Sequence, residues 1–314
     1  MKQITLPARG ACSSLRTSLR IRSFLRRHEI DVIQLHDLKD LPKLYWALLG
    51  WHHPKVVYAM HAASSGIRSG LVAKLALKKL SGTIVPSEFA RRQFGQLARS
   101  SENRVWVIPP GLEVNPRSDE RSNVRQRIGA SPDDIVIGCM GWIDRRGGQL
   151  ELIEAVRMLL ARFNNLKLVI AGEPSGSEGK IYLEFLKRKA TEHRMEEVVA
   201  FFADEKPQSM LGAFDIFVCP AYESISGRTV AEAMLAGLPC IGTDSGALPE
   251  VLDGGSLGIL VEPGSVDSLA RGLHNLIANP ALRDDLARRS RSWAAEKFRL
   301  DRMLDAIENV YAHA

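Results

Sequence analysis

No apolar run approaches the roughly 18 residues that a membrane-spanning helix needs, so none is expected. The opening Met1-Lys2-Gln3-Ile4-Thr5-Leu6-Pro7 lacks the apolar stretch of a signal peptide. Cysteine is scarce: Cys12, Cys139, Cys219 and Cys240 are scattered, without metal-site spacing or a disulfide framework. Three of them lie in or beside apolar runs, which suits buried thiols in a reducing compartment. No internal repeat and no low-complexity tract is present, so solenoid and disordered classes are set aside. Acidic residues are thin in the first third. Residues 1–115 hold 18 lysines and arginines against 7 acids, and the remainder holds 24 against 29. The basic part fits an anionic lipid or glycan, with a plainly solvated face as the alternative. Nucleic acid fits the charge alone, because no base-reading or aromatic stacking module is visible.

What is present is ordinary core material in a periodic order. Hydrophobic residues make up 45% and charged residues 25% of a chain long enough for two domains. Apolar runs predict strands at 31–35, 56–60, 83–86 and 105–108, then at 135–140, 166–171, 198–202, 216–219, 240–242 and 258–261. Helical periodicity falls between them, at 15–27, 72–80, 88–98, 150–163, 181–193, 229–236 and 266–277. This alternation predicts parallel sheets covered by helices on both faces. The turn-rich stretch Pro109-Pro110-Gly111 and Asn115-Pro116 reads as the linker. The expected division is a domain at 1–115, a domain at 116–290 and a C-terminal helical segment at 291–314 that returns toward the first domain. The first domain is short and opens without the strand and glycine turn that usually begin a doubly wound sheet.

One segment carries most of the chemistry. The predicted strand 216–219 runs into Glu223, a turn through Gly227, and a helix containing Glu232. A helix start offers unpaired N–H groups and a positive dipole end to an anion. The two carboxylates can hold sugar hydroxyls, which phosphate-binding amides cannot.

Eight phrases stand in a fixed order along the chain. The first four are Asp31-Val32-Ile33-Gln34-Leu35-His36, Tyr58-Ala59-Met60-His61, Val85-Pro86-Ser87-Glu88-Phe89 and Val107-Ile108-Pro109-Pro110-Gly111. They continue with Ala171-Gly172-Glu173, Cys219-Pro220-Ala221-Tyr222-Glu223 with Glu232-Ala233-Met234, Thr243-Asp244-Ser245-Gly246 and Gly258-Ile259-Leu260-Val261. In this order they resemble the retaining glycosyltransferases of the GT-B fold, in the large family 4. The resemblance implies two Rossmann-like doubly wound α/β domains facing a cleft, the first apparently incomplete. It implies a nucleotide-diphosphate sugar as donor, a glycan or lipid-linked acceptor, no bound metal and no other cofactor. No Asp-x-Asp motif stands in a suitable place. Glu223 and His61 would be catalytic. Glu232 would accept from the ribose, and the amides of Gly227, Arg228 and Thr229 would face the diphosphate. Gly141, Arg145, Arg146, Ser245 and Gly246 would complete the donor site. His36 is the weaker histidine, read first as a strand-end hydrogen bond. The expected place of work is the cytoplasm, at the inner face of a membrane, building an envelope glycan or glycolipid.

Three departures qualify the resemblance. Eight residues lie between Glu223 and Glu232 where the family usually has seven, so Ser224 competes with Glu223 for the first position. The family's Gly-Arg-Leu-x-x-x-Lys-Gly reads Gly141-Trp142-Ile143-Asp144-Arg145-Arg146-Gly147-Gly148 here, so both clamp cations are missing in register. Arg145, Arg146 and Arg228 are the nearby guanidinium groups suited to phosphate. The third departure is the missing first glycine turn. Together they leave open a non-catalytic GT-B protein acting as a binding or partner subunit.

Overall fold

The computed structural model describes residues 13–51, 54–61, 77–97, 104–113, 121–203 and 207–313. Cys12, the His52-His53 turn, most of the helix expected at 72–80 and the Asn115–Glu120 part of the linker lie outside them. The chain forms two compact units, Met1–Pro109 with Asp301–Ala314, and Pro110–Leu300. No helix among the described residues is long and apolar enough to cross a membrane.

In the first unit, helix α1 (Ser13–Arg27) leads into strand β1 (Val32–Leu35), and helix α2 (Leu41–Ala47) leads into β2 (Lys55–Ala59). Strands β3 (Gly82–Val85) and β4 (Val105–Val107) follow, and the parallel order is β1-β2-β3-β4. Successive strand side chains point to opposite faces. Val56 therefore packs with Ile21 and Leu25 of α1 and Leu44 and Ala47 of α2. Val57, with Ile84 and Ile108, packs against Val310 of the last helix, Leu300–His313. The Tyr311 hydroxyl donates to Gln34 on the same side.

The second unit holds β5 (Ile135–Met140), β6 (Leu166–Ala171), β7 (Val199–Phe202), β8 (Ile216–Cys219), β9 (Cys240–Thr243) and β10 (Ile259–Val261). All are parallel, in the order β10-β9-β8-β5-β6-β7. Strand order reverses between β5 and β8, which is the switch point of a doubly wound sheet. Ligands of such sheets bind outside the carboxyl ends of the two strands that flank it. Apolar side chains fill both faces. Ile137, Leu168, Ile216 and Val218 belong to one layer, and Val136, Val169 and Phe217 to the other. Asp215 pins the two central strands together. It accepts from Arg121 and Arg125 at 3.0 Å each and from the Val136 amide at 2.8 Å.

The last part of the chain divides differently from the expected 291–314 segment. The helix Pro280–Lys297 buries Leu286 and Ala294 in the second unit, and the break comes at Phe298-Arg299. The outgoing and returning stretches meet there, where the Leu112 amide donates to the Phe298 carbonyl at 2.8 Å.

Candidate active site

Strand β5 ends at Met140 and the chain turns at Gly141, where φ is +146° and a Cβ would meet nothing within 4 Å. Backbone in that region favours glycine. The following loop ends at Gly148 (φ +71°), whose Cβ would lie 2.1 Å from the Pro220 carbonyl oxygen. A side chain at Gly148 would push the β5 loop off the β8 exit. The Tyr222 amide donates to the Arg146 carbonyl at 2.8 Å, which stitches the two loops at the switch point. The Arg146 amide donates to Asp144 Oδ1 at 2.9 Å, a local turn that sets the arginine's direction.

Arg146 Nη2 then donates to Glu223 Oε2 at 2.7 Å. The arginine side chain is 69% exposed and the glutamate 25%. The Arg145 guanidinium lies 5.8 Å from the Tyr182 ring centroid. Arg145 and Arg146 both line a cavity of about 510 Å³ there, with Asp144, Ser175 and Glu178. Burial, and then the nearby Glu151 carboxylate, push the Tyr182 hydroxyl up to about 12.

Beyond Glu223 the chain folds tightly. The Ser224 hydroxyl accepts from the Gly227 amide at 3.1 Å, and the Ser226 hydroxyl from the Arg228 amide at 3.4 Å. Two of the three amides expected to face a diphosphate thus also donate within the turn, to serine hydroxyls. Ser224 is thereby turned into its own loop, and Glu223 is the side chain that reaches Arg146. The Ala247 amide donates to the Ser224 carbonyl at 2.7 Å. Gly246 (φ +65°) fits beneath, where a Cβ would sit 2.4 Å from that same oxygen. Ser245, half-buried in this turn, accepts from the Leu248 amide through its carbonyl at 3.3 Å.

The helix Arg228–Leu235 starts at Gly227 (φ +60°). Thr229 hydrogen-bonds the buried Cys219 thiol. Burial pushes that thiol up, as it does those of Cys139 and Cys240. Glu232 accepts from Arg228 Nε at 2.9 Å through Oε1 and is 11% exposed. Its second oxygen is buried and has no partner among the described residues. A buried carboxylate oxygen without a donor is costly, so this atom is poised for a hydroxyl from outside the chain.

Two neighbours were missed in the sequence. Gln149 donates to the Trp142 carbonyl at 2.9 Å while its Oε1 is buried and unpartnered. Glu151 accepts from the Tyr222 hydroxyl at 2.8 Å while its Oε2 is also orphaned. Their signal was polar residues opening a helix of otherwise apolar inward positions, Leu152, Ile153 and Val156. Trp142, at the family's arginine position, is 64% exposed.

The structure thus gathers Gly141, Arg145, Arg146, Glu223, Gly227, Ser245 and Gly246 in the loops after β5, β8 and β9 of one unit, with Arg228, Thr229 and Glu232 on the helix that follows β8. His61 belongs to the other unit, just past β2. Its Nε2 lies 2.7 Å from Nδ1 of His36, past β1, with the rings nearly parallel at 4.9 Å.

The chain is similar to known proteins. The family model described as "Glycosyl transferases group 1" matches residues 120–293, and "Glycosyltransferase Family 4" matches residues 3–115. A D-inositol 3-phosphate glycosyltransferase of Corynebacterium jeikeium is 34% identical over 218 residues, 66% of this chain and 51% of that protein. A GDP-mannose-dependent alpha-(1-6)-phosphatidylinositol monomannoside mannosyltransferase of Mycolicibacterium smegmatis is 28% identical over 89% of this chain and 75% of its own length. The chain therefore spans about half the length of the first relative and three quarters of the second. Among solved structures, Anabaena Alr3699/HepE in complex with UDP and glucose superposes with a TM-score of 0.84 at 22% identity, covering 98% of this chain and 84% of that one. WaaG, a glycosyltransferase involved in lipopolysaccharide biosynthesis, gives 0.72 at 17% identity, covering 98% and 86%. These two likenesses show the fold, that of the GT-B enzymes.

Proposed function

The chain belongs to the glycosyl transferases group 1 family, and from that membership we propose that it moves a hexosyl unit from a nucleotide-diphosphate donor to an acceptor hydroxyl, with retention of anomeric configuration. The observation that carries the reading is Glu232: a carboxylate beside a helix start, with one oxygen paired and the other buried without a donor. A ribose hydroxyl supplies the missing bond. Glu223, held by Arg146, takes hydroxyls of the donor sugar.

The missing clamp is made good from other positions. Arg228 uses Nε on Glu232, which leaves its Nη fork for phosphate, and Arg146 uses one of five donors on Glu223. Both guanidinium groups are more than half exposed at the switch point. As the C1–O bond to the diphosphate breaks, charge builds on the leaving oxygens. Fixed cations there stabilise the transition state without a bound metal. In this reading His61 is a catalytic group of the first unit, and His36 orients its ring through their 2.7 Å hydrogen bond. The acceptor is an envelope glycan or a glycolipid, and the place of work is the cytoplasmic face of a membrane.

Calorimetry with UDP, GDP and ADP tests the reading. We expect one of them to bind, and Glu232→Ala to weaken it. Absence of measurable affinity for all three would instead favour a non-catalytic partner subunit. Trp142 and Gly147 in place of the family's clamp residues speak for that second reading.

A further inference from the structure

A buried oxygen without a donor costs the folded chain free energy, so it marks polar chemistry kept for some other reason. In the first unit a cavity of about 380 Å³ is lined by Lys78, Lys79 and Arg104 where β2, β3 and β4 begin, and among the described residues it holds no such side-chain atom. The second unit does, at Glu151. Its Oε1 accepts from the Tyr222 hydroxyl at 2.8 Å, and its Oε2 is buried without a partner among the described residues. The helix around it, Gln149–Leu159, buries Leu152, Ile153 and Val156. Leucine in that place would suit the helix and leave no oxygen unpaired.

What Glu151 holds is the residue before Glu223. Tyr222 is 38% exposed, so packing alone does not fix it. Its ring lies against the loop after β10, where a Cβ on Gly264 would stand 3.0 Å from Cε1. Its amide donates to the Arg146 carbonyl at 2.8 Å, and Arg146 in turn donates to the Glu223 carboxylate at 2.7 Å. Tyr222, Glu223 and Arg146 thus close a ring through one backbone and one side-chain hydrogen bond. The Tyr222 hydroxyl tethers that ring to the helix Gln149–Leu159. Its bond to the Glu151 carboxylate, and then burial, push the hydroxyl up from its ordinary value, so it stays protonated and donates at neutral pH.

We propose that Glu151 is a positioning residue for sugar transfer: acting through Tyr222, it sets where the Glu223 carboxylate stands, and it touches no substrate itself. The inference rests on the reading above, in which Glu223 takes hydroxyls of the donor sugar. A charged acceptor makes a shorter and stronger hydrogen bond than an amide oxygen does. Such precision matters at a reacting centre, where a displacement of about 1 Å costs on the order of 10²-fold in rate. A plain structural role would have Glu151 add to stability, and its orphaned oxygen argues the reverse.

Calorimetry with sugar nucleotides tests it. The full chain is titrated with UDP-glucose, GDP-mannose and ADP-glucose, and with UDP, GDP and ADP. The ratio of sugar-nucleotide to nucleoside diphosphate affinity is taken for the tightest pair. Glu151→Leu is expected to lower that ratio about tenfold, the size of one lost charged hydrogen bond to the sugar. Nucleoside diphosphate affinity stays near the parent's, because Arg228 and Glu232 are untouched, and the melting temperature is no lower than the parent's. Glu151→Gln keeps an acceptor without the charge, so its ratio falls in between, and it serves alone if the leucine variant fails to fold. Adding Tyr222→Phe to Glu151→Leu is expected to lower the ratio no further. Parent-like ratios overturn the proposal. So does a melting temperature that falls in step with the ratio, which makes Glu151 a brace of the fold. A further loss in the double variant also overturns it, by showing a route other than Tyr222. A parent that binds none of the nucleotides sinks the transfer reading and this inference with it. A parent that binds them, with variants that match it, sinks this inference alone.

Discussion

At the scale of single residues the site depends on how carboxylates are partnered. Glu232 spends one oxygen on Arg228 and keeps the other buried without a donor. A bond made only when ligand arrives contributes to affinity rather than to folding. Replacing Glu232 by Ala is expected to weaken nucleoside diphosphate binding roughly 10- to 100-fold, as loss of a charged hydrogen bond does, with little change in melting temperature. Titration calorimetry measures the first and scanning calorimetry the second. Arg146 differs in kind. Its contact with Glu223 is largely solvent-exposed, so it adds about 0–1 kcal/mol to stability. Its worth lies in aiming Glu223 and in the charge it offers phosphate. Arg146→Ala is expected to lower turnover roughly 10-fold or more while the unfolding midpoint stays in place. A fall in stability without a fall in turnover would make it a surface ion pair and nothing else.

At the scale of elements, the loops after β5, β8 and β9 hold one another by backbone contact. Gly246 is one such close approach, since its φ is +65° and a Cβ would sit 2.4 Å from the Ser224 oxygen. Gly246→Val should displace the Glu223–Ser224 turn, destabilise by about 1–3 kcal/mol and reduce nucleotide affinity with it. Denaturant melts and calorimetry on one sample check both. The same elements show how far sequence reaches. All ten strands among the described residues were legible within a residue or two, because a buried parallel strand is a bounded apolar run such as Ile135–Met140. The helix Leu41–Ala47 was not. It has only seven residues, with Pro42, Tyr45 and Trp46 among them, and Pro42 in its first turn starts it where periodicity is too short to see. The glutamates were legible from their place after a strand. Which of them meets which arginine was not, because the pairing depends on the fold of the Ser224–Gly227 turn. Nor was the capping of two amides by Ser224 and Ser226, since a serine near a helix start looks alike whether it serves the chain or a ligand.

At the scale of the molecule, the chain passes between its units twice, and the two passages are joined by the Leu112–Phe298 hydrogen bond. The last helix completes the first unit's core by covering Val57, Ile84 and Ile108 with Val310. Ending the chain at Leu300 should bare that face. Hydrogen exchange is expected to show lost protection in β2 and β3, with β5 and β8 unchanged and nucleoside diphosphate still bound. Retained protection in β2 would show that the helix is dispensable. The first sheet keeps His36 and His61 past the carboxyl ends of β1 and β2, and the cavity lined by Lys78, Lys79 and Arg104 where β2, β3 and β4 begin. A ligand held in that cavity leaves the histidine end of the sheet uncovered, so each end can be altered by mutation without touching the other.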